Sequence, residues 1–409
     1  MQCEREQEDA APMYRQQWMA LIGLALSAFI MNTSEFMPIG LLVDIAGSFA
    51  MTEAEAGLIV SIYAWAVALL SVPLMVFASR FNLKRLLVAV IVLFAAGQVA
   101  SALAPSFALL VGARLMVAAA HAIFWSIASP LAVRVVGERF SSLAVGTIVT
   151  GSSIAMVCGL PLGRAVGLIL GWRMTFACVA AVTLVTLAFL VIAIPRVEAG
   201  APFSMRQLPQ LLKTPTLRNI YIVTALFAGA HFTCYSYIEP FLQQVAGFSD
   251  GLITFTLVLY GAAGVAGSAV FSRGYSRLRF PFMRAAVLGV VAAMALLLVA
   301  SVNMIATIAV CALWGAFYTA YSVAFQAEIL SSAPAEASAV AMSAYSGIFN
   351  LGIGSGTAIG GVVVSAASIA DVGLAGALIG AASFAVCTVG LVRSIKRAER
   401  ASRTNATTA

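Results

Sequence analysis

Eleven stretches of this chain contain no Asp, Glu, Lys or Arg: residues 16–34, 56–79, 86–113, 115–133, 140–163, 174–195, 219–238, 251–272, 285–327, 337–370 and 372–392. A helix of about 20 apolar residues crosses a bilayer, and a charge at its centre costs a few kcal/mol, so each uncharged stretch reads as membrane-spanning. The 43 residues of 285–327 are too many for one crossing and must turn near Ser301-Val302-Asn303. The result is twelve spans, placed at 17–43, 55–78, 86–104, 107–134, 142–169, 174–195, 218–243, 252–272, 283–301, 304–330, 338–366 and 373–392. With 62% hydrophobic and 10% charged residues, against roughly 25% charged in soluble domains, soluble enzymes and nucleic-acid binders are excluded. The first dozen residues are acidic (Glu4, Glu6, Glu8, Asp9) and precede a full-length apolar run, unlike a cleaved signal peptide.

The net charge of +7 has a positional explanation. By the twelve-span layout, 20 of the 23 basic residues fall on one side of the membrane, Arg164 and Arg173 fall on the other, and Arg114 lies inside a span. Basic residues concentrate in cytoplasmic loops, so both termini are expected in the cytoplasm, and no polyanion partner is needed. The six cysteines show no Cys-x-x-Cys spacing and five lie in apolar runs. They signal neither a disulfide framework nor a metal site, and nothing else indicates a cofactor.

Residues 196–217 carry Pro202, Pro209 and Pro215 with three basic residues, and separate six spans from six. The expected organisation is a cytoplasmic tail (1–16), a six-helix bundle (17–195), a cytoplasmic linker (196–217), a second six-helix bundle (218–392) and a basic cytoplasmic tail (393–409). Weak echoes relate the halves: Ser34-Glu35 with Pro38 and Ser236 with Glu239-Pro240, and Val76 to Arg80 with Val270 to Arg273. The fold class is therefore an all-α integral membrane protein of two bundles related by a pseudo-two-fold axis, with its substrate site between them near the midplane.

In the fifth span Gly151 is followed by Gly159-Leu160-Pro161-Leu162-Gly163-Arg164 and Gly167. This pattern is similar to the glycine-proline antiporter motif of the twelve-spanner drug:proton antiporter branch of the major facilitator superfamily. Arg114 resembles that branch's second motif, with Ala118 where a glycine is usual. The loop after the second span departs from the superfamily, having Ser79-Arg80-Phe81-Asn82 where an Asp-containing sequence is usual, so no acid-based latch is expected there. Asn32 to Pro38, His121 to Ser126, Tyr235 to Phe241 and Ser346 to Asn350 look like the corresponding segments of bacterial sugar efflux transporters within that branch. The resemblance implies the major facilitator fold, a bacterial inner-membrane location, proton antiport, and function as a monomer.

Ionisable groups inside spans need partners or water, and so mark function. Glu35 lies nine residues before Asp44 and Arg114 eight after Ser106, which at a rise of 1.5 Å per residue puts both roughly 12–13 Å deep, where they can meet. Glu239, eight residues before Gly247, is expected at similar depth in the second half. Glu35, Arg114 and Glu239 are the proton-coupling candidates, and a static Glu35–Arg114 pair bracing two helices is the alternative. His121 and Trp125 share a helical face with Arg114. Near that cation His121 is expected to serve as a neutral hydrogen-bonding wall. His231, Tyr235 and Glu239 recur every four residues along the seventh span. Trp314, Tyr318 and Tyr321 form an aromatic face on the tenth, with ordinary packing as the competing explanation. Asn32 and Asn350 place amides in hydrocarbon, costly unless they are paired or bind ligand. The substrate-contact set is thus Asn32, Glu35, His121, Trp125, His231, Tyr235, Tyr237, Glu239, Tyr318 and Asn350.

These features favour export of small neutral polyhydroxylated solutes such as sugars by proton antiport. The alternative is export of hydrophobic or cationic drugs. A membrane-embedded enzyme would need a clustered nucleophile or metal constellation, and the only two histidines lie in different halves. A receptor would need a ligand-binding ectodomain, and no loop is long enough to form one.

Overall fold

The computed structural model of this chain describes residues 13–78, 81–195, 211, 213–334 and 338–408. Most of the linker, the first twelve residues, and the echo at residues 76–80 and 271–273 lie outside the described backbone or side chains. The first half comprises α1 (Arg15–Phe36), a 3₁₀ turn (Met37–Leu41), α2 (Leu42–Ser48), α3 (Glu53–Ala78), α4 (Leu83–Leu103), α5 (Phe107–Val136), α6 (Ser141–Leu170) and α7 (Trp172–Ala193). The second comprises α8 (Pro215–Tyr235), α9 (Ile238–Gln244), α10 (Asp250–Ala300), α11 (Met304–Ser332), α12 (Ser338–Ala366), α13 (Val372–Ala385), a π turn (Val386–Leu391) and α14 (Val392–Thr408).

Eleven of the described helical segments are long and apolar enough to cross a membrane. The remaining crossing is α8 with α9, and its polar residues explain why it lacks the signature. Thr224, His231, Thr233, Ser236 and Glu239 are all buried, so protein rather than lipid surrounds this helix and hydrophobicity is not required of it. The eighth and ninth crossings run together as α10, bent at Leu278 (φ −122°, ψ 37°) three residues before Pro281, whose ring cannot donate to the preceding turn. The turn expected at residues 301–303 separates α10 from α11, with Asn303 capping the Ala306 amide at 3.0 Å.

The antiporter-motif glycines pack α6 on α1. A Cβ on Gly151 would strike the Ala25 carbonyl, one on Gly159 would lie 3.0 Å from Thr33 Cα, and one on Gly163 2.6 Å from Met37 Cβ, while Gly167 faces Leu41. The offset is 126 residues at every step, so α6 and the chain around α1 run parallel and in register, backbone against backbone at Gly151 and Gly159. The second half repeats the device: Gly352, Gly356 and Gly360 of α12 meet Ala225, Gly229 and Thr233 of α8 at a constant offset of 127. Small residues of this kind supply the close van der Waals contact that holds helices together in lipid. Gly151→Leu is therefore expected to lower the unfolding midpoint of detergent-purified protein sharply, because the obstacle is backbone and overpacking costs about 1–3 kcal/mol or more. Gly146→Leu on the same helix, where nothing lies within 4 Å of the added Cβ, should leave it unchanged.

Between the halves, Gly347, Gly354 and Gly361 of α12 face Ala68, Ser61 and Ala54 of α3, every seventh residue along an antiparallel seam. A Cβ on these glycines would lie 3.9 Å from the Ala68 carbonyl at Gly347, 2.8 Å from that of Ser61 at Gly354 and 3.4 Å from that of Ala54 at Gly361. At the end remote from the termini, Gln244 bonds Glu53 across the halves at 2.9 Å, and Trp65 donates to Ser355 at 3.2 Å further along the seam. The two bundles are closed on each other at that end.

Candidate functional site

Pro38 creates the first element of the site. It has no N–H, so the carbonyl of Ser34, four residues earlier, loses its helical partner. Arg114 Nη2 donates to that carbonyl at 2.8 Å, and Nη1 donates to Ser34 Oγ at 2.9 Å. Gln98 Nε2 also donates to Ser34 Oγ. The guanidinium lies 4.5 Å above the Tyr63 ring and 5.7 Å from that of Phe176, positions favourable for a buried cation.

Glu35 does not close the direct pair with Arg114 that matched depth suggests. Arg114 is committed to the Ser34 side of α1, and Glu35 Oε2 instead lies 3.7 Å from His121 Nε2, within electrostatic reach of Arg114 and Tyr63. The His121 ring is 5.9 Å from Tyr63 and 6.1 Å from Trp125, so the expected face of α5 is assembled. Asn32 Nδ2 donates to Ser152 Oγ on α6. Around this cluster Thr33 Oγ1, Tyr63 OH, Gln98 Oε1, Arg114 Nε and His121 Nδ1 are buried without a hydrogen-bond partner. Such groups are costly in a finished core.

The second half presents aromatic rings. Trp314 Nε1 donates to His231 Nδ1 at 3.1 Å, and His231 is sandwiched between Tyr318 at 4.2 Å and Tyr235 at 4.9 Å. Tyr260 stands 5.0 Å from Tyr235, and Phe227 lies 3.5 Å from Tyr321. The aromatic face expected on the tenth span is thus one wall of a larger box. Its hydroxyl at Tyr260 and the carbonyl of Asn350 are buried and unpartnered, while the Asn350 amide donates to Ser346 of its own helix at 3.1 Å. The two walls approach at the centre: Phe36 stacks on Phe232 at 6.2 Å, and Glu35 is within electrostatic reach of Tyr318.

Glu239 and Tyr237 are not in this central group. The turn at Ser236–Tyr237 displaces α9 from the line of α8, so Glu239 falls nearer the closed end than Glu35 rather than at matching depth. There Glu239 Oε1 accepts from Arg164 Nη1 at 2.5 Å, and its second oxygen accepts from the Val43 amide of α2 at 3.4 Å. Arg164 also reaches the half-exposed Asp250 at 2.8 Å and the Gly40 carbonyl at 3.3 Å. Arg164, the last residue of the glycine-proline run, thereby ties the first half to two helices of the second. Tyr237 is fully buried, donating to the Thr357 carbonyl at 3.1 Å. Sequence reasoning missed Ser34, Tyr63, Gln98, Tyr260 and Asp250; of these only Ser34 carried a signal, its position four residues before a proline.

The Major Facilitator Superfamily profile matches residues 24–357. Among solved structures, a bacterial homologue of the human lysosomal transporter Spinster, inward-facing and unoccupied, is 18% identical with a TM-score of 0.72, covering 94% of each chain. A mutant of the peptide transporter POT in complex with alafosfalin is 15% identical with a TM-score of 0.74, covering 92% of this chain and 94% of its own. The human organic anion transporter MFSD10 is 15% identical with a TM-score of 0.67, covering 92% of this chain and 100% of its own.

Proposed function

We propose that this chain, which belongs to the Major Facilitator Superfamily and is a multi-pass membrane transporter of small molecules, exports small neutral polyhydroxylated solutes such as sugars by proton antiport. One observation carries the reading: the buried Glu35, held beside His121 and opposite the aromatic box of the other half, among unpartnered donors and acceptors from both halves. A sugar hydroxyl both donates and accepts, as such a mixed set requires, and the C–H face of a pyranose stacks on aromatic rings. When Glu35 is ionised its charge offsets that of Arg114, leaving no unbalanced charge for a charged cargo to neutralise. Asn32, His121, Trp125, His231, Tyr235, Tyr318 and Asn350 are the proposed solute contacts, Glu35 the proton carrier, and Arg114 its fixed counter-charge. Glu239 and Tyr237 belong with Arg164 to the gate.

The excess of basic residues supports an inner-membrane orientation with both termini cytoplasmic. The end closed by Arg164 and Glu239 is then the outer one, and cytoplasmic solute reaches the centre from the opposite side. A solute can drive rocking of the halves only if its contacts differ between states, which contacts shared by both halves provide. The number of aromatic rings around His231 favours a second reading, export of hydrophobic or cationic compounds by the same mechanism, acting as a monomer in either case.

Counterflow into proteoliposomes preloaded with a panel of mono- and disaccharides tests the substrate class. A labelled sugar should accumulate transiently, and a drug panel should not compete; competition by drugs alone reverses the assignment. Asn32→Ala and Asn350→Ala should each weaken apparent affinity about two- to tenfold, as the loss of a neutral hydrogen bond worth roughly 0.5–1.5 kcal/mol requires. Effects confined to one half would place the pocket within a single bundle.

A further inference from the structure

We propose that the C-terminal helix α14 is a docking surface for anionic phospholipid headgroups. The helix continues from the last membrane crossing through the π turn at Val386–Leu391, so its first turns adjoin the end of that crossing. Arg393, Lys396, Arg397 and Arg400 are exposed and recur at i, i+3, i+4 and i+7, which is one face of a helix; Arg403 continues the spacing in the sequence. An adjacent face is turned to the bundle: Val392 and Ile395 are buried, and Glu399 accepts from Arg279 Nη1 at 2.7 Å.

That second contact fixes which way the basic face points. Arg279, just beyond the bend in α10, is itself held by the buried Glu328 of α11 through Nε at 2.5 Å and Nη2 at 2.6 Å, and Tyr275 also donates to Glu328. Lys396 lies 5.1 Å over the Phe280 ring of the same bend. The helix is thus braced along its Val392–Ile395–Glu399 edge, and cannot roll to turn its cations away without breaking a charge-assisted pair. Orienting a span requires only an excess of basic residues near its end. A single-faced, braced row of cations does more, since clusters of this size beside a span bind anionic lipid through summed Coulomb attraction that decays within a Debye length.

The test uses the full chain in nanodiscs of phosphatidylcholine with increasing phosphatidylglycerol, a donor dye attached enzymatically after Ala409 and an acceptor on a trace headgroup. Energy transfer should rise with the phosphatidylglycerol fraction and fall back in 1 M NaCl, where the Debye length is about 3 Å. In the variant carrying Arg393→Gln, Lys396→Gln, Arg397→Gln and Arg400→Gln the phosphatidylglycerol fraction needed for half the change should rise at least about tenfold, or out of range. Because Lys396 also covers the Phe280 ring, the unfolding midpoint of the variant is compared with that of the unaltered chain, and the salt titration of the unaltered chain stands independently. Transfer that is indifferent to phosphatidylglycerol, unchanged by salt, or identical in the variant overturns the proposal.

Discussion

Replacing Glu35 by glutamine is expected to abolish pH-gradient-driven export to the level of protein-free vesicles, while solute counterflow at equal pH persists. The amide keeps the shape of the carboxyl and its contact with His121 Nε2, but it can neither release nor accept the transported proton. Counterflow needs only the halves to rock with solute bound, so it survives the loss of coupling. The same variant separates this role from a bracing one. If Glu35 chiefly holds α1 to α5, Glu35→Gln lowers the thermal unfolding midpoint while folded protein still exports against the gradient. Arg114→Ala should impair folding more than Glu35→Gln, because it strips the Ser34 carbonyl of the donor that Pro38 cannot supply. A buried carbonyl left unpaired costs about 1–3 kcal/mol.

The crossings were legible because lipid imposes a rule that composition obeys: charges are scarce in spans, so the gaps between charges outline them, with the one overlong gap, 285–327, divided at a turn. Even the seventh, too polar for a hydropathy criterion, was outlined by the uncharged stretch 219–238, since a helix buried in protein still excludes charge. The glycine motif was legible as close packing, though not as a register between α6 and α1, because a partner 126 residues away leaves no local trace. The site was legible only where residues share a helix face, as His121 and Trp125 do. Depth counted along straight helices failed at Glu239, where the turn at Ser236–Tyr237 interposes; it brought Arg114 to the level of Ser34 and Glu35, but could not show that Arg114 spends its donors on the carbonyl freed by Pro38. Arg164 and Glu239 stand 75 residues apart in different halves, and no periodicity within either helix could join them.

That pair carries the second large effect. Arg164 and Glu239 are each 2% exposed, and removing one partner of a buried pair strands the other charge at a cost of about 3–5 kcal/mol. Arg164→Gln should therefore destabilise the closed arrangement relative to one in which Glu239 meets water. At the lower figure this shifts the equilibrium between states roughly a hundredfold. The half-exposed Asp250 offers little compensation, since exposed pairs are worth about 0–1 kcal/mol. Spin labels at Gly47 near the end of α2 and at Ala246 beyond α9 report the separation of the two halves at this end. A short distance should dominate in the unaltered chain and a longer one in Arg164→Gln. Combining Arg164→Gln with Glu239→Gln replaces the stranded charge with two amides that can bond each other, and should restore much of the short distance. Were the single variant to keep the short distance, the glycine seam of α12 on α3 would be what holds the halves together, and the ion pair would merely accompany closure.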